Sequence, residues 1–193
     1  MPSLIDILNE FIVCKWSMYK TVPKKRYELT LDFIGTHLST EELILDLGVP
    51  NPLAELMKQK GYSVTNTQGE DLDEDQSAIS NSNATVVTAF EIFEHLLSPY
   101  EVLKSIKARK LVISVPLRLW FSPAYRSKTD PWDRHYHEFE DWQLDWLLEK
   151  TGWKIINRKK WTHPVNKLGL RPILRYFTNR YYIVYAERTQ TPK

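Results

Sequence analysis

Apolar positions recur along the chain with two periods, and the change from one to the other divides it. Leu4, Ile5, Leu8, Phe11 and Ile12 fall at helical spacing behind Ser3, which suits an N-cap. After a polar link around Lys20 to Lys25, Leu29, Leu31, Phe33, Ile34 and Leu38 predict a second helix. Residues 1–40 therefore read as a helical cap ahead of a larger unit, 41–193. There, short apolar runs take over. Leu43-Ile44-Leu45, Tyr62 to Thr67, Thr85 to Phe90 and Leu111 to Val115 suit buried strands. Helices are expected between them. One starts at the cap Asn51 with Pro52 in its first turn and stops at Gly61, and another runs from Pro99 to Ala108. Gly69 to Asn83 is polar and aperiodic, hence loop. Strand alternating with helix predicts an α/β fold, a doubly wound and mostly parallel sheet covered on both faces.

The later chain departs from this rhythm. Residues 117–137 lack a period and read as a loop insertion. Phe139 to Lys150 predicts a helix with Trp142 and Trp146 as core anchors, ending near Gly152. Trp153 to Lys160 and Tyr181 to Glu187 are the last strands, joined by a long basic link. They are expected to pair antiparallel at the C-terminal edge of the sheet.

Composition changes the picture little. Hydrophobic residues at 42% and charged residues at 26% are ordinary for one globular domain of 193 residues. No apolar run approaches the roughly 18 residues of a membrane span, and MPSLIDILNEF lacks the features of a secretory signal. The lone Cys14 allows no internal disulfide, so a cytoplasmic setting is expected. A formal charge of +2 gives no long-range pull on nucleic acid. The basic, aromatic stretch holding Arg158, Lys159, Lys160, Trp161, Lys167, Arg171, Arg175 and Arg180 is the feature that hints at RNA or phosphate. It reads equally as solvated loop or as an extension of an acceptor site.

In a doubly wound sheet, ligands bind beyond the carboxyl ends of the strands near the switch in strand order. The turns to inspect are Asp46 to Asn51, Thr65 to Thr67 and Phe90 to His95. Glu91, Glu94 and His95 stand at i, i+3 and i+4, so a helical turn would face them to one pocket. With His135 or His137 from the insertion they compose a possible metal set, Glu91, Glu94, His95 and His137. Tyr125, Trp132, His135, Tyr136 and His137 supply apolar walls with polar tips over an acceptor. Either histidine suits a general base, although His137 also suits a cap for the helix near Phe139.

Three blocks resemble the class I S-adenosylmethionine-dependent methyltransferases, especially the branch of ubiquinone-biosynthesis and small-molecule enzymes (type 11/23-like). ILDLG precedes a helix, TAFEIFEHLLSPYEVL follows a later strand, and LVISVP precedes HYHEFEDWQLDWLLEKTGW. The resemblance spans about 43–187 and implies a Rossmann-like fold, S-adenosyl-L-methionine as cofactor and a small-molecule acceptor. It implies cofactor contacts from Asp46, Gly48 and Asn51, ribose contacts from Asn66 and Thr67, and adenine contacts from Asp71, Leu72, Phe90, Glu91 and Ile92. His135 or His137 is then the candidate base, with Glu94 and His95 shaping the pocket. The sequence also departs from the family. Its glycine loop keeps only Gly48, Pro50 and Pro52 carry no N–H, and no acidic residue ends the second strand. The segment 61–84 is short by about one helix and one strand. Two alternatives follow: a non-catalytic binding or scaffold domain, and, from a Glu-x-x-Glu-His pattern similar to the metal-dependent small-RNA methyltransferases, a metal-dependent RNA enzyme.

Overall fold

The computed structural model describes residues 24–165 and 167–189. The helix expected over Leu4 to Ile12, and Cys14, lie outside them. The first described element is α1 (Lys24–Gly35), followed by β1 (Leu43–Asp46), α2 (Pro52–Gln59), β2 (Ser63–Asn66), α3 (Ser77–Ser80), β3 (Val86–Phe90), α4 (Pro99–Ser105) and β4 (Lys110–Pro116). The chain ends through α5 (Asp141–Lys150), β5 (Trp153–Thr162), α6 (Leu170–Phe177) and β6 (Asn179–Arg188).

The six strands form one sheet in the order β2-β1-β3-β4-β6-β5. β1 pairs parallel with β2 and β3, and β3 with β4. β6 runs antiparallel to both β4 and β5. The last two strands are thus the antiparallel pair expected at that end, with β6 inside and β5 at the edge. The fold is Rossmann-like, and strand order switches between β1 and β3.

Alternation along the strands builds two cores. Leu45, Val87, Leu111 and Val184 face α4 and α5 with Val102, Leu103, Leu144 and Leu148. Ile44, Val86, Val112 and Ile183 face α1 and α2 with Tyr27, Ile34, Leu53 and Met57. Successive strand residues belong to opposite cores because successive Cβ atoms point to opposite faces. α1 therefore packs directly on the sheet.

Four local expectations are revised. Trp142 and Trp146 are exposed and meet edge to face at 4.7 Å, while Leu144 and Leu148 form the buried face of α5. Residues two apart on a helix point roughly 200° apart, so the leucines exclude the tryptophans from the core. α5 is capped by Glu140 with Gln143, not by His137. The loop 69–83 contains α3, whose Ile79 enters the core. Finally, the basic link contains α6, introduced by Gly169 at φ 138°.

Candidate functional site

β1 to β4 run parallel, so their carboxyl ends share one edge of the sheet. Because β6 is antiparallel, its start at Asn179 and Arg180 reaches the same edge.

The first turn is organised around Asp46, which is 1% exposed. The Thr88 hydroxyl donates to one carboxylate oxygen at 2.6 Å. The Asn66 and Asn51 amides donate to the other at 3.0 and 3.4 Å. Burial pushes the Asp46 carboxyl up to about 6, against these hydrogen bonds. Asp46 therefore ties β1, β2, β3 and the start of α2 together. Asn51 caps α2 by accepting from the Leu53 and Ala54 N–H groups. The Thr67 hydroxyl accepts from the Gly48 N–H at 2.7 Å. Gly48 sits at φ 100°, and a Cβ there would lie 3.1 Å from the tip of Ile92. Thus Gly48 serves both the turn and a close approach.

Of the residues expected at the ribose and adenine, Asn66 turns its amide inward, and its buried Oδ1 finds no partner among the described residues. Phe90 and Ile92 are half-buried. Leu72 is buried in the core, whereas Asp71 is exposed and opens a turn by accepting from the Asp73 N–H. Asp73 carries a contact that the sequence pattern did not reveal: its carboxylate accepts from the Leu97 and Ser98 N–H groups at 2.8 and 2.7 Å, at the start of α4.

The turn after β3 supplies the acidic groups. Glu91 adopts φ 57°, a left-handed backbone that costs a bulky residue roughly 1–2 kcal/mol. Its carboxylate accepts from Ser114 Oγ at 2.9 Å and lies 3.5 Å from the Arg26 guanidinium. Burial raises its pKa, while Arg26 and Ser114 oppose the rise. Glu94 lies in the single 3-10 turn Phe93–His95 and is 1% exposed. Its Oε2 has no partner among the described residues. Burial, and then the neighbouring Glu91 charge, hold the Glu94 carboxyl well above the usual carboxylate range.

The insertion lays its histidines over this turn. The Glu94 carbonyl accepts from the Tyr136 and His137 N–H groups at 2.8 and 3.2 Å. His95 Nδ1 lies 3.0 Å from the Arg134 carbonyl, an acceptor, so Nδ1 carries a proton and Nε2 is turned to Glu94. That Nε2 is 3.7 Å from Glu94 Oε1. His135 meets His95 edge to face at 4.8 Å. Burial, followed by the His95 and Arg180 charges, lowers the His135 pKa below 6.5. Glu94, His95 and His135 offer ligand-type atoms within 4.8 Å of one another. The fold does not bring Glu91 or His137 into that group: Glu91 is held by Ser114 and Arg26, and His137 lies against Phe139 with a buried, unpartnered Nε2. In a regular extended segment residues 135 and 137 would share a face; the bend at Tyr136 between them separates the two rings, so His135 joins the group and His137 does not.

Comparison with known proteins agrees with this architecture. No protein-family model matches the chain, and no curated protein matches its sequence. Solved structures do match. An S-adenosylmethionine-dependent methyltransferase from Archaeoglobus fulgidus superposes with a TM-score of 0.61 at 14% identity, covering 92% of this chain and 100% of that one. One from Methanosarcina mazei gives 0.60 at 13% identity, covering 82% and 98%. The 1,6-didemethyltoxoflavin-N1-methyltransferase of Burkholderia thailandensis, solved with its substrate and S-adenosylhomocysteine, gives 0.58 at 16% identity, covering 95% and 88%. The fold is that of the class I S-adenosylmethionine-dependent methyltransferases. Among the described residues no helix is long and apolar enough to cross a membrane.

Proposed function

We propose that the protein is an S-adenosylmethionine-dependent methyltransferase of the small-molecule, type 11/23-like branch, acting at the shared edge of β1 to β4. The observation that carries this reading is the buried Glu94 carboxyl beside His95 and His135, its Oε2 without a partner among the described residues. A buried polar group left without a partner costs roughly 1–3 kcal/mol, so its retention at the carboxyl edge of the sheet speaks for use.

Gly48 and the orphaned Asn66 Oδ1 fit the cofactor's side of the edge, since Oδ1 offers an acceptor to a ribose hydroxyl. Phe90 and Ile92 give that side apolar surface. When bound, S-adenosyl-L-methionine supplies an electrophilic methyl group. The chain's own residues do the rest. Asp46, Asn51 and Thr67 hold the turn rigid. His135 is neutral near pH 7 and accepts the acceptor's proton. The Glu94 carboxyl, its pKa raised by burial, orients the acceptor by a hydrogen bond. The insertion, pinned at its base by Leu117 N–H to the Arg180 carbonyl and Arg118 N–H to the Phe139 carbonyl, shields the site from water. The Burkholderia enzyme, with its bound 1,6-didemethyltoxoflavin, supports a small-molecule acceptor.

The test is conversion of S-adenosylmethionine to S-adenosylhomocysteine across a panel of small hydroxyl and amine acceptors. Loss of a positioned base costs about 10²–10⁴-fold. His135→Asn should therefore lower turnover by at least about 100-fold, and an unchanged rate in that variant would refute the assignment.

A second reading rests on the same trio. Glu94, His95 and His135 compose a one-carboxylate, two-imidazole set suited to a divalent cation. Elemental analysis of the purified protein, with His95→Ala as control, decides it. Stoichiometric metal lost in the variant supports the cation, and metal-free active protein excludes it.

A further inference from the structure

We infer that the acceptor, or a part of it, is anionic, and that it carries a phosphate or carboxylate group bound by four arginines beside the histidine pair. This inference rests on the reading of the site as a methyl-transfer centre.

A cavity of about 290 Å³ opens between the insertion, α6 and the start of β6. Arg126, Arg171, Arg175 and Arg180 all line it. Glu138 is the one carboxylate among its lining residues. Among the described residues none of the four guanidinium groups forms an ion pair, whereas Arg26, Arg118 and Arg158 each do. Glu138 is itself engaged: its Oε1 accepts from the Tyr125 N–H at 2.8 Å and lies 3.9 Å from His135 Nδ1. Four permanent positive charges thus face one carboxylate that is already shared. Guanidinium groups do not deprotonate near neutrality, so their repulsion is relieved by a bound anion, which they match bidentately.

The placement of α6 strengthens the point. Arg171 and Arg175, one turn apart, stand on the face toward the cavity, and Arg171 donates to Ser122 Oγ across it. Leu170, Ile173 and Phe177, on the opposite face, are 73%, 56% and 83% exposed. A surface helix ordinarily turns its apolar stripe inward. This one turns its apolar stripe outward and lines the cavity with its cations, Arg171 exposed and Arg175 half-buried at the cavity wall.

The cavity adjoins the reacting groups. Tyr125, which lines it, contacts the His135 ring at 4.5 Å, and Arg180 is close enough to act electrostatically on Glu91, Glu94 and His135. An anion seated among the arginines places the rest of a small molecule next to His135. The volume suits one or two phosphate groups, or a di- or tricarboxylate, and not a folded polymer.

The experiment is calorimetric titration of the full chain with inorganic pyrophosphate and, separately, with citrate, each with and without S-adenosylhomocysteine. Saturable one-site binding, weakened at least tenfold in Arg171→Gln/Arg175→Gln and unchanged in Arg118→Gln, is expected. The tighter of the two probes identifies the anion class. Thermal melts and retained S-adenosylhomocysteine binding show that the double variant is folded. No saturable binding of either probe by folded protein overturns the inference, as does binding insensitive to the arginine changes. Binding of a short RNA without binding of pyrophosphate or citrate overturns it too. Anion binding without S-adenosylhomocysteine binding keeps the arginine pocket and removes the methyl-transfer reading, so the two failures are distinguishable.

Discussion

Asp46→Asn separates structural from cofactor-binding duty at the first turn. The Asp46 carboxyl is fully buried and its pKa stands at about 6 against 3.8 when free. A raised carboxyl pKa means that the unfolded chain ionises first. Its drag on stability is therefore absent below about pH 4, grows as pH rises, and is complete above about pH 6. At ~1.4 kcal/mol for each tenfold change in acidity, the full penalty is roughly 3 kcal/mol. Asparagine removes the charge and keeps the shape. Its carbonyl still accepts from Thr88, and Asn66 reverses its amide so that the previously orphaned Oδ1 takes the new N–H. The long 3.4 Å contact from the Asn51 amide is lost, because the Asn51 Oδ1 is held as the cap of α2. Weaker neutral hydrogen bonds return about 1 kcal/mol of that gain. Asp46→Asn should thus be about 2 kcal/mol more stable than the parent at pH 8, with Tm higher by roughly 4–8 °C, and no more stable at pH 4. Chemical denaturation at the two pH values measures both. A variant less stable by the same amount at each pH would refute the reasoning, because the hydrogen bonds to the carboxylate would then outweigh its burial.

Three further outcomes follow from the geometry. Gly48→Ala places a Cβ at φ 100° and 3.1 Å from Ile92, and should cost about 1–2 kcal/mol in a thermal melt. Ile92→Val should restore part of that loss, and no rescue would mean that backbone strain alone is responsible. Asp73→Ala removes the acceptor for two N–H groups at the start of α4 and should destabilise by about 1–2 kcal/mol, measured by urea unfolding. For turnover, the acid limb of the kcat/KM profile should have its midpoint below pH 6.5, since burial lowers the His135 pKa, and the limb should vanish in His135→Asn.

The sheet was legible because its signal is local and repeated. The apolar runs of β1, β3 and β4 fill both cores by simple alternation, so period and length sufficed. Asn51-Pro52 marked α2 by cap chemistry. What failed depended on partners distant in sequence. Trp142 and Trp146 carry more apolar surface than Leu144 and Leu148, yet the leucines won the core because their face meets the sheet. α6 was hidden by its own inversion, with an apolar stripe that faces outward. Leu170, Ile173 and Phe177 at helical spacing, with Pro172 near the start, were the available signal. At the site, the turns were placed by strand order, but the choice of His135 over His137 against Glu94 is set by the path of an aperiodic insertion. The inward turn of Asn66 and the use of the Gly48 N–H by Thr67 are likewise products of packing around Asp46.

Calorimetric titration of the wild-type protein with S-adenosylhomocysteine tests the central claim most directly. Saturable binding with micromolar affinity is predicted, because the buried Asn66 Oδ1 is left without a partner among the described residues beside the Gly48 turn at the edge of the sheet. Absence of binding by demonstrably folded protein would contradict the account, and would leave a methyltransferase fold serving as a binding or scaffold domain whose first turn, with Pro50, Pro52 and a committed Gly48 N–H, no longer holds a cofactor.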